Sequence, residues 1–357
     1  MRITNVEEWK SPVALTRPYT IATRSIDSVD LFFVRISTDT GVRGLGSASP
    51  AEEVTGESIA ACENALRQDN IGWLEGRDPC QLASYCRRLA PTMIGTPAAR
   101  LAVETALHDL FCRHLGIPLV DLFGQCHTSL PTSITIGIKP TIDEALAEAD
   151  EYLARGFIAL KLKIGRDMQQ DRELLTKLRE HCGPDISIRV DANRGYSLQE
   201  TSKLWPLVDD LDIELVEQPV DIEEFNRLSD LNDDQRRIIA ADESLVDDRD
   251  ALRLIHPPRP SGIFNIKLMK CGGLTTALTI AELARLAGLD LMWGCMDESV
   301  ISIAAALHTA FACPQTRFLD LDGSFDLSTD PASGGFQLID GHLTLIDGVG
   351  LGVELRG

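Results

Sequence analysis

The chain contains no apolar run approaching the roughly 18 residues of a membrane span, and no apolar leader follows Met1. Neither a spanning helix nor a secretory signal is therefore expected. Its nine cysteines include no Cys-x-x-Cys. Their odd count and irregular spacing argue against a disulfide framework and a zinc site, and for a reducing cytoplasm. The seven histidines are scattered without a His-x-x-x-His pair, so each reads as structural or exposed. Basic residues are scarce: 34 Lys and Arg stand against 54 Asp and Glu, a net charge of −20. Such a surface repels nucleic acid and anionic lipid. What remains is a globular composition, 44% hydrophobic and 25% charged over 357 residues. That length exceeds one small core and fits a large domain with a smaller one.

Residues 1–50 alternate in the manner of antiparallel strands. Asp30–Ser37 leads through a Thr40-Gly41 turn into Val42–Ser47. Arg17–Arg24 reads as a loop. A second loop, Ala48–Gly56, carries Glu52 and Glu53. Residues 57–125 read as helical, most clearly Pro97–Leu115, which Gly116 ends. After Pro131 short apolar runs alternate with helical segments. The strand candidates are Ile134–Ile138, Ala159–Ile164, Ile186–Asp191, Ile213–Glu217, Ile239–Asp242, Ile263–Lys267, Asp290–Gly294 and Arg317–Asp320. Thr141-Ile142-Asp143-Glu144 reads as a capping box, and Gly156 closes that helix. Eight strands with helices between them predict a parallel barrel. The expected division is an α+β unit over 1–125, a barrel over 126–324 and a segment over 325–357 that packs back on the first unit.

The polar residues at the strand ends repeat with the barrel unit. From Lys163 to Asp191 is 28 residues, then 26 to Glu217, 25 to Asp242 and 25 to Lys267. Strand ends of this kind face one another across the mouth of a barrel. Singly, each acid reads as a helix cap. Three in successive units between lysines would repel without a cation, and oxygen ligands alone select a hard divalent ion, most simply Mg²⁺. Lys161 and Lys163 share a strand face. Like charges that close are expected to favour loss of one proton, which makes a lysine base.

Lys161-x-Lys163, Asp191-Ala-Asn193, Val216-Glu217-Gln218-Pro219, Asp242-Glu243-Ser244 and Asn265-Ile266-Lys267 resemble the signature of the muconate-lactonizing branch of the enolase superfamily. The resemblance spans essentially the whole chain. It implies a (β/α)7β modified TIM barrel with an α+β capping domain. It also implies Mg²⁺ on Asp191, Glu217 and Asp242, Lys163 and Lys267 as the acid/base pair, and Lys161 as the electrostatic neighbour of Lys163.

Within that branch the eighth strand resembles the dipeptide epimerases. Asp320-x-Asp322 is similar to the motif that holds their substrate's free α-amino group, with the capping of a turn as the plain alternative. Gly294–Ser299 resembles their seventh-strand end, and Arg24 matches the loop arginine that binds glutamate in L-Ala-D/L-Glu epimerases. Glu52, Glu53 and Asp297 depart from that pattern by adding acids at the mouth. The resemblance implies a small-molecule dipeptide substrate, inverted at the α-carbon of its C-terminal residue. The added acids predict a preference for cationic side chains, and L-Ala-D/L-Glu specificity is the alternative if Arg24 decides. N-succinylamino acid racemase and o-succinylbenzoate synthase are enzyme alternatives whose substrates lack the ammonium group. A catalytically dead binding protein is the alternative of another class. A homo-oligomer is implied by analogy alone.

Overall fold

The computed structural model describes residues 1–20 and 25–356. An antiparallel sheet opens the chain: Ile3–Thr20, Ser25–Thr38 and Arg43–Ala48 pair in that order. The expected loop beginning at Arg17 is strand as far as Thr20, because Tyr19 pairs with Ile26 and Thr20 with Ser25. Pro18 is accommodated where the register slips between Ala14 and Tyr19, the kind of irregularity that tolerates a missing N–H. Helix Pro97–Leu115 lies directly across this sheet. Its approach needs Gly44 and Gly46: a Cβ on Gly46 would sit 1.8 Å from the Ala102 carbonyl oxygen.

Eight parallel strands follow: Ile134–Ile136, Ala159–Lys163, Ser187–Asp191, Ile213–Glu217, Ile239–Ala241, Ile263–Ile266, Asp290–Gly294 and Thr316–Asp320. Each coincides with a run expected from the sequence. The barrel closes through Thr132, which bridges Leu319, and the Ser133 amide donates to the Leu319 carbonyl at 3.0 Å. Helical segments fill the seven connections, and among the described residues none follows the eighth strand, giving (β/α)7β. Leu215, Ala240, Ile263, Met292 and Phe318 form a small apolar cluster of their own, while the larger core runs through the cap and the barrel helices.

The cap is tied to the barrel by buried polar contacts. Arg100 donates to the Cys271 and Gly272 carbonyls. Glu104 Oε1 accepts from the Thr275 amide and hydroxyl at 2.7 Å each. The last residues return to the cap: Asp109 accepts from the Leu351 amide at 2.8 Å and from the Leu45 amide at 2.9 Å. Among the described residues, no helix is long and apolar enough to cross a membrane.

Candidate active site

Strand register builds the site. Lys163 lies opposite Asp191, and Asp191 opposite Glu217, so three successive barrel strands end in charge at one level. Asp242 and Lys267 come one residue beyond their own strands. One carboxylate oxygen from each of Asp191, Glu217 and Asp242 lies within 4.8 Å of the others, and all three residues are buried. That is a pre-formed, all-oxygen cradle of the size and chemistry a hard divalent ion takes.

The residues beside the acids hold them in place. The Asn193 amide donates to Asp191 Oδ1 at 2.9 Å. Asn265 Nδ2 donates to Glu217 Oε1 at 2.8 Å. Gln218, at a φ of 37°, accepts through Oε1 from the amides of Asp242 and Ser244, both at 3.1 Å. Gly294 leaves room for the arm of Lys267, since a Cβ there would lie 2.9 Å from Lys267 Cε. Each short motif in the sequence is thus an acid or lysine with its own support.

Four lysines enter this group. Lys163 Nζ is 2.6 Å from Asp191 Oδ2, and Lys267 Nζ is 2.7 Å from Asp242 Oδ2. Lys161 Nζ lies 2.7 Å from Glu217, 2.7 Å from Asp320 and 3.3 Å from Asp191. Lys270, buried on the short helix Leu268–Cys271, donates to Asp242 Oδ1 and to its carbonyl. Sequence reasoning missed Lys270. Its signal is the spacing Lys267-x-x-Lys270, one helical turn after a strand end.

Electrostatics correct one expectation. Lys161 and Lys163 were expected to favour loss of one proton between them, by mutual repulsion. Burial does press the Lys161 ammonium toward neutrality, but Asp320, Glu217 and Asp191 outweigh it and hold the pKa well above the usual value. Three acids surround it where the sequence showed one neighbouring lysine. Burial raises the Asp191 carboxyl, and Lys163 and Lys161 more than offset it, so it stays below the usual range. In Asp242 burial is likewise outweighed, by Lys267 and Lys270. Glu217 goes the other way, to about 8, through burial and the Asp191 charge.

The two acids at the end of the eighth strand have partners of their own. Asp320 is engaged on both oxygens, by the Ser133 hydroxyl at 2.6 Å and by Lys161. Asp322 accepts from the Thr135 amide at 2.8 Å and is pushed up to about 7 by burial and Asp320. Asp297 stands between two lobes of the cleft. The larger, about 700 Å³, has Lys163, Lys267 and Asp242 in its floor. Glu52 and Glu53 line it from above, on a helical turn, Glu52–Thr55, where a loop was expected. Gly56 ends that turn in the left-handed region at φ 69°. Asp27 and Asp30 join the same wall from the second cap strand and were not foreseen. Arg24 lies outside the described residues.

Comparison with known proteins follows this geometry. Residues 3–124 match the mandelate racemase / muconate lactonizing enzyme N-terminal domain, and residues 144–357 match the enolase C-terminal domain-like family. An L-Lys-D/L-Arg epimerase of Methylococcus capsulatus is 52% identical over 353 residues, covering 99% of each chain. An L-Ala-D/L-Glu epimerase of Clostridium acetobutylicum is 34% identical over 344 residues, 96% of each. The crystal structure of a dipeptide epimerase from Methylococcus capsulatus with Mg and L-Arg-D-Lys superposes with a TM-score of 0.97, at 52% identity and 99% coverage of both chains. The chain belongs to the mandelate racemase / muconate lactonizing enzyme family of the enolase superfamily, and it is an isomerase.

Proposed function

We propose that this chain is a Mg²⁺-dependent dipeptide epimerase that inverts the α-carbon of the C-terminal residue and prefers dipeptides with lysine or arginine side chains. One observation carries the reaction type. Lys163 ends the second barrel strand and Lys267 follows the sixth, so the two ammonium groups face each other from opposite sides of an eight-stranded barrel, above three buried acids. A two-base inversion needs one proton carrier on each face of the reacting carbon.

Asp191, Glu217 and Asp242 would hold the ion. When bound, it supplies positive charge where the substrate carboxylate gains negative charge as the α-proton leaves. Lys163 takes the proton on one face, and Lys267 gives one on the other. Asp242 and Glu217 overcome the burial of Lys267 and keep it protonated, the state a donor needs. Asp297, Asp320 and Asp322 offer the acidic side of the cleft to the substrate's ammonium group. Lys161 holds Asp320 and Glu217 in register while doing so.

The cationic preference rests on the walls. Glu52, Glu53, Asp27 and Asp30 line the larger lobe from the cap, and Asp297 from the barrel. Like charges across a contact that loses water disfavour a glutamate side chain. The relatives named above include one protein for each preference. A cytoplasmic site of action fits nine unpaired cysteines. Assembly into a homo-oligomer belongs to the same proposal by analogy, and light scattering on the purified chain tests it.

The experiment is α-proton exchange in D₂O over a dipeptide library, followed by NMR with and without Mg²⁺. Metal-dependent exchange at the C-terminal residue, fastest with Lys- and Arg-containing dipeptides, is the expected result. Fastest exchange with L-Ala-L-Glu would reject the preference. Exchange only with N-succinylated amino acids would reject the dipeptide class.

A further inference from the structure

We infer that Asp326 selects the side chain of the substrate's N-terminal residue, a linear cation, in a narrow lobe beyond Asp322. The inference rests on the dipeptide reading above and assigns the half of the substrate which that reading leaves unplaced.

The cleft divides at Lys163 and Asp297, which line both lobes. The second lobe is about 60 Å³ and is lined by Thr135, Asp322, Gly323 and Asp326, together with Arg17, Glu148 and Tyr152. At roughly 10–15 Å³ per water, it has room for four to six waters. That is the scale of one side chain. A dipeptide whose C-terminal α-carbon lies between Lys163 and Lys267 must send that residue's side chain toward the larger lobe. The N-terminal side chain branches from the carbon bearing the ammonium group. With that ammonium on the Asp320–Asp322 side, the narrow lobe is the space its side chain meets.

The charge in this lobe is resolved residue by residue. Glu148 is matched by Lys139 and by Arg17, the latter at 3.5 Å, and Glu151 is matched by Arg17 at 2.6 Å. That group is therefore neutral as a unit. Tyr152 is part of it: its hydroxyl donates to Glu148 at 3.0 Å, and the Arg17 guanidinium lies 5.6 Å from its ring centre. Asp326 is different. Its carbonyl accepts from the Thr16 amide at 2.7 Å and hydroxyl at 3.1 Å, which fixes its backbone. Its carboxylate makes no hydrogen bond and no ion pair among the described residues, although it is partly buried and lines the lobe. Burial raises that carboxyl, and Arg17 offsets the rise only at a distance. An ammonium or guanidinium at the end of a three- or four-carbon arm is the group that would satisfy it. Gly323 lets the segment after the eighth strand pack against Met296, since a Cβ there would strike the Met296 carbonyl oxygen at 1.8 Å.

The test fixes the C-terminal residue and varies the other. The quantity is the ratio of kcat/KM for L-Lys-L-Lys to that for L-Ala-L-Lys, measured by exchange in D₂O with saturating Mg²⁺. In Asp326→Asn, a change of nearly equal shape, the ratio should fall about tenfold or more, with the loss carried by KM of the Lys-Lys substrate. Asp326→Glu should recover part of it by keeping the charge. An unchanged ratio in Asp326→Asn, including one in which both substrates slow equally, would overturn the inference while leaving the dipeptide reading intact. Absence of exchange with both substrates in the unaltered protein would remove the reading itself, and the inference with it.

Discussion

The floor of the cleft and its rim carry charge in opposite ways. In the floor every charge is buried or, for Lys163, nearly so, and is held by a named partner, with Lys163, Lys161 and Lys267 each 2.6–2.7 Å from a carboxylate. At the rim, Asp27, Glu52 and Glu53 are exposed, and Asp30 pairs with Lys10 at 3.0 Å on the cap strands. Floor positions are set by barrel register, so moving one leaves its partner buried and unpaired, a cost of several kcal/mol. Rim positions hang from a strand end and a single helical turn, where a change of charge disturbs little else. Under the proposed function, the fold separates the group that does chemistry from the group that selects what enters. Reaction type can stay constant while the rim varies.

The largest effects are expected in the floor. Lys163→Ala and Lys267→Ala should each lower epimerisation by at least about 10³-fold, within the range that general acid–base groups supply. Each variant keeps the opposite lysine, so residual exchange should favour one stereoisomer, and the two variants should favour opposite ones. Stereochemistry of exchange, read by NMR on L,L- and L,D-substrates, is the check. Equal loss with no stereochemical bias would mean that the lysines only shape the site.

The next effect sharpens what counts as floor. Lys270 touches Asp242 but does not face the cleft. Removing a group that orients a metal ligand commonly costs about 10–100-fold in affinity. Lys270→Met should therefore weaken Mg²⁺ binding by that factor in calorimetry, less than Asp242→Asn does, with activity at saturating Mg²⁺ largely restored. If Mg²⁺ affinity in Lys270→Met equals that of the unaltered protein, Lys270 supports the fold alone.

The two regions were not equally legible in the sequence. The barrel was, because it repeats: strand, helix and acid recur every 25 to 28 residues, and periodicity survives without coordinates. The floor acids and lysines inherit that clarity from their strands. What the sequence hid are contacts that close across the barrel. Lys161 and Asp320 are 159 residues apart and meet only because the eighth strand closes on the first, next to the second. Ser133, which holds the other oxygen of Asp320, carries no motif. Asp27 and Asp30 looked like ordinary strand polars, and nothing local says that their strand overhangs the barrel. Asp326 reads as a turn residue until Thr16 is seen to pin it.

At the rim the expected effect is smaller. Exposed ion pairs are worth up to about 1 kcal/mol each. Asp27→Asn with Glu52→Gln should then cost about tenfold in kcat/KM for L-Ala-L-Lys relative to L-Ala-L-Leu. The same ratio in the unaltered protein should shrink as salt is raised from 0.01 to about 0.5 M, because rim charges are screened and floor charges are not. A ratio indifferent to both salt and substitution would mean that the rim does not select.

The smallest effect lies at the seam that carries the rim over the floor. His308, on the barrel's last helix, accepts from the Val120 amide through Nδ1 at 3.1 Å, and its Nε2 faces the Leu351 carbonyl at 3.4 Å. The ring must be neutral to do this, since a proton on Nδ1 would oppose the amide N–H. Burial lowers its pKa to about 4, only partly countered by the Leu351 carbonyl. An unfolded histidine has a pKa of about 6.5. Above that value neither state binds the proton, and the group adds no pH dependence. Below it the unfolded chain binds the proton and the folded chain does not, so stability falls until the pH reaches the folded pKa. Between pH 7 and 5.5 this amounts to about 1 kcal/mol. His308→Gln keeps an acceptor and a donor but cannot titrate. Urea unfolding at the two pH values should show a drop in the unaltered protein that exceeds the variant's by about that amount. Parallel drops would mean that His308 already carries a proton in the folded chain, and that its ring does not accept from the Val120 amide.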